Sequence, residues 1–368
     1  MSAYSPLFNT PQDRKLFIIM RISVYSCLCF TAILFLTFFF FDYSSIPQKL
    51  LAPPIKSDLV YRGELSSMDG IGYDFKTIDV SPFPKFYELE NLPKCDLSMD
   101  KSKPNTSPKK LLKGFHGCVD PIFKNHLNPL NATEFSYQIC EALEKCDDIA
   151  EFKDLTIEEF KNDHEIKWGI LPNCKEDNVM VTLGIGHDVK AEVLLYRTLP
   201  KTKFYGADPI IEPNLQLYSS FGKFFPFALG DKAGMNRFKV LPNQNQKTRT
   251  YTYQDVTTID LPYFFKNILN LTQIDFLWFD IEGGELTFLD HLHKGKQLDQ
   301  AGITICQFNI ELHPAFFDNG YQVVYDFLNQ ILKENRFIFL KPMETGKGVY
   351  RLFFINVEDQ KCVRKYLQ

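Results

Sequence analysis

The sequence predicts an α/β fold: a sandwich on a mostly parallel sheet, preceded by a single transmembrane helix. Three observations predict it. From Val179 onward, apolar strand-like runs alternate with helical periods, the pattern of strands crossed over by helices. Two of the runs, "IDFLWFDI" and "ITICQFNIEL", are long and apolar in the manner of strands covered on both faces. Near the start, Ile22 to Phe41 offers twenty residues without a charge, enough to cross a hydrocarbon core of roughly 30 Å.

The elements follow in order. "VMVTL" is a strand, a glycine turn follows, and Val189, Val193, Leu194 and Tyr196 fall on one helical face. "KFYGA" is the second strand and Asn214 to Ser220 a short helix, while "FFPFAL" and "RFKVL" flank the turn Gly230 to Gly234. Pro262 suits the first turn of a helix reaching Leu269. After "IDFLWFDI", Leu286, Leu289 and Leu292 predict a helix with one buried face. "ITICQFNIEL", a helix over Val323 to Lys333, "RFIFL" and "YRLFFINV" complete the series.

Ahead of this domain the composition changes. The expected divisions are a cytoplasmic tail (1–21), a signal anchor (22–41), a Pro-rich lead-in (42–113), an extension packed on the catalytic domain (114–178) and the main domain (179–368). Arg14, Lys15 and Arg21 before the apolar run favour a cytoplasmic N-terminus, hence a single-pass type II protein facing the Golgi or ER lumen. Asn131 and Asn270 head glycosylation sequons, as does Asn105, which Pro108 follows closely. Seven cysteines lie beyond the anchor, an odd number, so at least one has no partner within the chain. A net charge of −4 gives no hint of a nucleic-acid partner.

Three constellations could carry chemistry. Gly184 and Gly186, in Thr182-Leu-Gly-Ile-Gly-His-Asp188, would let the backbone approach a ligand between the first strand and helix. Asp188 reads equally as a ligand or as a helix cap. Asp208, at the tip of the second strand, could accept hydrogen bonds from a ribose or open an Asp-Pro turn. Asp280 ends its strand on the same edge, with Glu282 behind it, whereas Glu285 reads as an acid complementing a helix dipole. His313 ends the next strand, two residues after Glu311, and is a candidate general base or a plain strand end. His291 and His293 read as surface residues.

In "VTLGIGHD", "FYGADP", "FALGDKAG", "TTIDLPYF", "IDFLWFDIEGGELTFL" and "FNIELH", in that order, the chain resembles the FkbM-type methyltransferases. The anchored architecture is similar to a nematode branch of that family. The resemblance covers about Val179 to Val357. It implies a Rossmann-like class I methyltransferase fold: seven strands, mostly parallel, flanked by helices, with "YRLFFINV" as the reversed last strand. It implies S-adenosylmethionine as cofactor, seated at Gly184 and Gly186 with Asp208 on its ribose, and methyl transfer to a hydroxyl. Asp280 or His313 is the candidate base; Asp280 with Glu282 could instead hold a divalent cation. A glycan or glycolipid is the expected acceptor in the secretory pathway. One position departs from the pattern: Thr182 stands where the family usually has an acid that helps hold the cofactor's amino-acid end.

Two alternatives stand beside this. A type II Golgi glycosyltransferase would use Asp280 and Glu282 as its metal motif, and a binding module on a methyltransferase fold would have no catalysis.

Overall fold

The structure is a computed structural model that describes residues 91–95, 107–125, 129–242, 250–346 and 348–367. The chain divides into Met1–Tyr61 and Arg62–Gln368, and all the described residues lie in the second unit.

The expected fold class needs correction on one count. Among the described residues no helix is long and apolar enough to cross a membrane, and Ile22–Phe41 lies outside them. What the structure shows is a mixed α/β unit around a seven-stranded sheet, with two smaller sheets beside it.

Helix α1 (Pro108–Asn125) and the short α2 (Ala132–Tyr137) come first, the latter capped by Asn131, whose side chain accepts from the Glu134 N–H. A hairpin of β1 (Ile157–Lys161) and β2 (Ile166–Ile170) follows. Then come β3 (Asn178–Leu183), α3 (Lys190–Thr198), β4 (Thr202–Ala207), α4 (Asn214–Ser219) and β5 (Lys223–Phe225). Strands β6 (Ala228–Gly230), β7 (Gly234–Val240) and β8 (Thr252–Asp260) form a sheet of their own in the order β6-β8-β7. After α5 (Leu261–Tyr263) the main sheet resumes with β9 (Gln273–Phe279). It continues through α6 (Gln297–Gln300), β10 (Thr304–Leu312), α7 (Gly320–Glu334), β11 (Phe337–Glu344), β12 (Tyr350–Asn356) and α8 (Gln360–Tyr366).

The main sheet runs β5-β4-β3-β9-β10-β12-β11. Its first five strands are parallel, and β12 is antiparallel to both neighbours, as the resemblance implied for "YRLFFINV". The chain winds outward from β3 to β5, then returns to β9 on the other side of β3. The tips of β3 and β9 therefore border the switch point, where open α/β sheets leave a crevice at their carboxyl ends. Met180, Val181, Phe276, Leu277, Trp278, Phe308 and Ile310 are all fully or almost fully buried, which places the core on both faces of these strands. Helix α7 buries Val324, Phe327, Leu328, Ile331 and Leu332 at the spacing of one helical face, and Asn335 ends it in the left-handed region (φ 57°).

Two elements differ from expectation. Strand β8 passes unnoticed in the sequence because "TYQDVTTID" is largely polar; it pairs within a small sheet with much of its surface exposed. The helix expected after Asp280 is instead two short 3₁₀ turns, Gly284–Thr287 and Leu289–Leu292. Phe288 (φ −129°, ψ 14°) leaves helical geometry between them.

Three disulfides, Cys95–Cys174, Cys118–Cys146 and Cys306–Cys362, use six of the seven cysteines beyond residue 41. Cys140 is free, and burial pushes its thiol up to about 12.

Candidate active site

The strand tips meet closely. Gly184 (φ +81°) follows β3, and a Cβ on it would sit 1.8 Å from the carbonyl oxygen of Asp280. Only glycine permits this contact, so it fixes the first loop against the tip of β9. The Asp280 N–H donates to Leu183 O (2.9 Å) and the Gly184 N–H to Ala207 O (2.9 Å), which extends the parallel ladder to its last residue. Gly184, Gly186, Asp208, Leu229, Tyr251 and Asp280 are among the walls of a crevice with about 60 Å³ of free volume. That is room for water molecules rather than a nucleoside. Lys239 also lines it and closes one side, paired with Glu282 (3.1 Å) and lying over the Phe316 ring (3.9 Å). A neighbouring groove of about 310 Å³ shares Phe238, Lys239 and Glu282 and is rimmed by Phe316 and Phe317.

Asp208 lies in the crevice wall, and its carboxylate organises the loop opposite. Oδ2 accepts from the N–H groups of Ile185 (2.9 Å) and Gly186 (3.3 Å), and Oδ1 accepts from Ile210 N–H (2.8 Å). Oδ2 therefore already has two backbone donors and Oδ1 has one. Asp188 does not line the crevice. It accepts from the N–H groups of Asp163 (2.7 Å) and Lys190 (3.1 Å), tying the β1–β2 hairpin to the start of α3.

The charges gather around Asp280. His313, at the end of β10, is 2% exposed, and both its backbone N–H and Nδ1 lie 2.9 Å from Glu285 Oε1. Glu285 Oε2 accepts from Gly283 N–H (2.9 Å). Glu285 is therefore fully buried and organises the site, a correction to its reading as an incidental helix-end acid. On its other edge His313 Nε2 faces Glu311 (3.5 Å) and Glu282 (3.7 Å). Burial works against charge on this ring, yet the hydrogen bonds to Glu285 and Glu311 hold its pKa up at about 11. Such an imidazolium is a poor general base near neutral pH.

Glu311 is paired with Arg351, its cross-strand partner on β12. Burial opposes its ionisation, but His313, Arg351 and Lys167 hold it down at about 2. Lys167 on β2 is 5% exposed and pairs with Glu165 at 2.7 Å. Each of Glu285, Glu311, Glu165 and Glu282 thus faces a basic side chain. Asp280 differs: its Oδ1 is buried without a hydrogen-bond partner. Burial pushes its carboxyl well above the usual range, Glu311 adds to the shift and Lys167 opposes it. Ligand atoms of Asp280, Glu311 and His313 all lie within 4.8 Å of one another, a set able to hold a metal ion. Glu282 stands outside that set.

Residues 129–339, more than half of the chain, match the family described as the Methyltransferase FkbM domain. The chain belongs to that family. As an FkbM-domain protein it is read as an S-adenosylmethionine-dependent methyltransferase. No curated protein matches it. Among solved structures, it resembles the precorrin-6y C5,15-methyltransferase of Geobacter metallireducens GS-15 at 10% identity, over 50% of this chain and 82% of that one. The TM-score is 0.25, too low to carry an argument.

Several buried polar residues lie outside the expectations. His291 and His293 are buried, not surface; His293 Nδ1 lies 3.2 Å from Glu334 and its ring packs on Phe327. Lys167, Arg351 and Glu192 were missed. The available signal was a lone charge in an apolar stretch ("IKWGI", "YRLFF", "AEVLL").

Proposed function

We propose that this FkbM-domain protein methylates a hydroxyl group, with Asp280 as the proton acceptor. The observation that carries the reading is the state of Asp280, which adjoins Gly184 at the switch point with a buried, unpartnered oxygen. The residue types present suit the cofactor: a glycine loop in the left-handed region, Asp208 in the crevice wall, and an acid with one oxygen that lacks a donor. The crevice, with about 60 Å³ free, has to widen to admit its nucleoside. S-adenosylmethionine supplies a methyl group on a cationic sulfur. Burial raises the Asp280 carboxyl, and a cation standing beside it would favour the carboxylate form. In that form Asp280 would take the acceptor's hydroxyl proton as the acceptor oxygen receives the methyl group, the sulfide being the leaving group. His313, charged and held on both edges, orients Glu311 and Glu285 rather than serving as the base.

The acceptor we favour is a glycan or glycolipid. Phe316 and Phe317, 37% and 43% exposed, rim the adjoining groove and offer aromatic faces for a sugar ring. The three disulfides support maturation in an oxidising compartment of the secretory pathway, where such acceptors abound.

A second reading, a divalent cation on Asp280, Glu311 and His313, rests on their convergence. The pairing of Glu311 with Arg351 counts against it, because a cation there would meet a positive neighbour. The test is methyl transfer from labelled S-adenosylmethionine to oligosaccharide and glycolipid pools by the purified full chain, with EDTA or with Mg²⁺ and Mn²⁺. Transfer that survives EDTA and vanishes in Asp280→Asn is expected. Transfer that persists in Asp280→Asn would overturn the base, and strict metal dependence would favour the second reading.

A further inference from the structure

The family's acid before the glycine loop is missing here, and the structure contains an unassigned acid beside the vacated position. Thr182 is buried at the end of β3, accepts a hydrogen bond from the Tyr218 hydroxyl (3.1 Å) and donates its own to Glu192 Oε1 (3.1 Å). Glu192, in the first turn of α3, is 2% exposed. Its second oxygen, Oε2, is buried with no hydrogen-bond partner. A buried carboxyl with an idle oxygen is costly unless something comes to meet it.

The neighbourhood suggests what does. The β1–β2 hairpin is docked over this spot through the Asp163 N–H to Asp188 (2.7 Å) and the Ala191 N–H to Asn162 Oδ1 (2.8 Å). It brings Lys167 and Glu165 with it. Lys167 acts electrostatically on both Glu192 and Asp280, so its ammonium group lies in the field of the two acids without pairing directly with either. The ammonium end of a zwitterion finds an acid here in Glu192, while Lys167, already paired with Glu165 (2.7 Å), sets the field around it. The crevice walls reach Gly184 and Gly186; Glu192 lies beyond them, against Thr182.

We propose that Glu192, with Lys167 beside it, receives the amino-acid end of the cofactor and so supplies the acid that position 182 lacks. The Tyr218–Thr182–Glu192 chain aims the carboxyl: Thr182 spends its one proton on Oε1, which leaves Oε2 for the incoming ammonium group. Burial pushes the unliganded carboxyl up to about 8, with Glu165 adding to the shift and Lys167 opposing it, which agrees with a group waiting for a cation. This inference rests on the cofactor reading above.

The experiment is calorimetric titration of the full chain with two ligands. S-adenosylhomocysteine carries the amino-acid end; 5′-methylthioadenosine shares the thioadenosine but lacks that end. In Glu192→Gln, affinity for S-adenosylhomocysteine is expected to fall about tenfold or more, the scale of a lost charge-assisted hydrogen bond. Affinity for methylthioadenosine should stay within about twofold, which also shows that the variant is folded. Adding Thr182→Asp to Glu192→Gln, which restores the family's acid, should recover part of the lost affinity. Equal loss for both ligands, or no loss for either, would overturn the proposal. A wild-type chain that binds neither ligand would overturn the cofactor reading, and this inference with it.

Discussion

One aspartate lies near the amino end of strand β9 and another just past its carboxyl end, and the two live differently. Asp275, near the amino end, is 1% exposed and has no idle oxygen. Its Oδ1 accepts from Lys365 Nζ (2.9 Å), the Tyr366 hydroxyl (2.9 Å) and Gln273 Nε2 (3.1 Å), and its Oδ2 accepts from Val179 N–H (2.8 Å). Asp280, at the carboxyl end, has an oxygen that nothing in the fold satisfies. The first is the pattern of a staple, holding α8 under the sheet. The second is the pattern of a site, because a fold optimised only for stability would have paired that oxygen.

The largest effect that would test this contrast is on turnover. Asp280→Asn should lower methyl transfer by roughly 10²–10⁴-fold, the range for loss of a general base, while S-adenosylhomocysteine binding and the thermal midpoint change little. Asp275→Asn should do the reverse. It removes one partner of a buried pair, so denaturant titration should show a loss of about 3–5 kcal/mol, with cofactor affinity unchanged in the folded fraction. If Asp280→Asn proves the more destabilising change, the distinction between staple and site fails.

A subtler test concerns His313. Its folded pKa of about 11 lies above the ordinary histidine value near 6.5. Its contribution to stability is therefore fully present below about 6.5 and is lost as pH rises through about 11. Ring-nitrogen NMR at pH 8 should show both nitrogens protonated, and Glu285→Gln should bring the titration down towards the ordinary range. A neutral His313 at pH 8 in the wild type would return it to candidacy as the base. Smallest of all, Lys239→Met should change stability by no more than about 1 kcal/mol, since its pair with Glu282 is partly solvated. Its effect should appear instead as easier entry of ligands to the crevice, read as a faster association rate.

The parts of the fold legible in the sequence were those with strong local pattern. "IDFLWFDI", "ITICQFNIEL" and "YRLFFINV" announce buried strands because most of their residues on both faces are covered. Strand β8 did not, since its half-exposed, polar alternation looks like loop. The apolar segment 22–41, plain as a sequence pattern, lies outside the described residues. In the site, Gly184, Gly186, Asp208 and Asp280 were visible because their meaning comes from position at strand tips. Glu285 was misjudged because its partner, His313, lies 28 positions away. Glu311 pairs with Arg351 across 40 positions, and Glu192 gains its interest only from Thr182 and the hairpin. Pairings at that range are set by the folded sheet and leave no periodic trace.

The attachment of the hairpin has a mechanical consequence. Strand β2 is held to β10 by primary amides of side chains: Asn309 Oδ1 and Nδ2 meet the backbone of Trp168 (2.8 and 2.7 Å), and Gln307 Oε1 and Nε2 meet Ile170 (2.8 and 3.0 Å). The two clasps sit two residues apart on both strands, so each mimics one rung of a ladder. The longer Gln arm and the shorter Asn arm are not interchangeable, and a slide of the hairpin would offer each backbone pair the wrong reach. The hairpin should consequently release as a unit, without creeping along the sheet. Trp168 and Ile170 amides would then exchange with solvent at a common rate, and Glu165 and Lys167 would arrive over the crevice, or leave it, together.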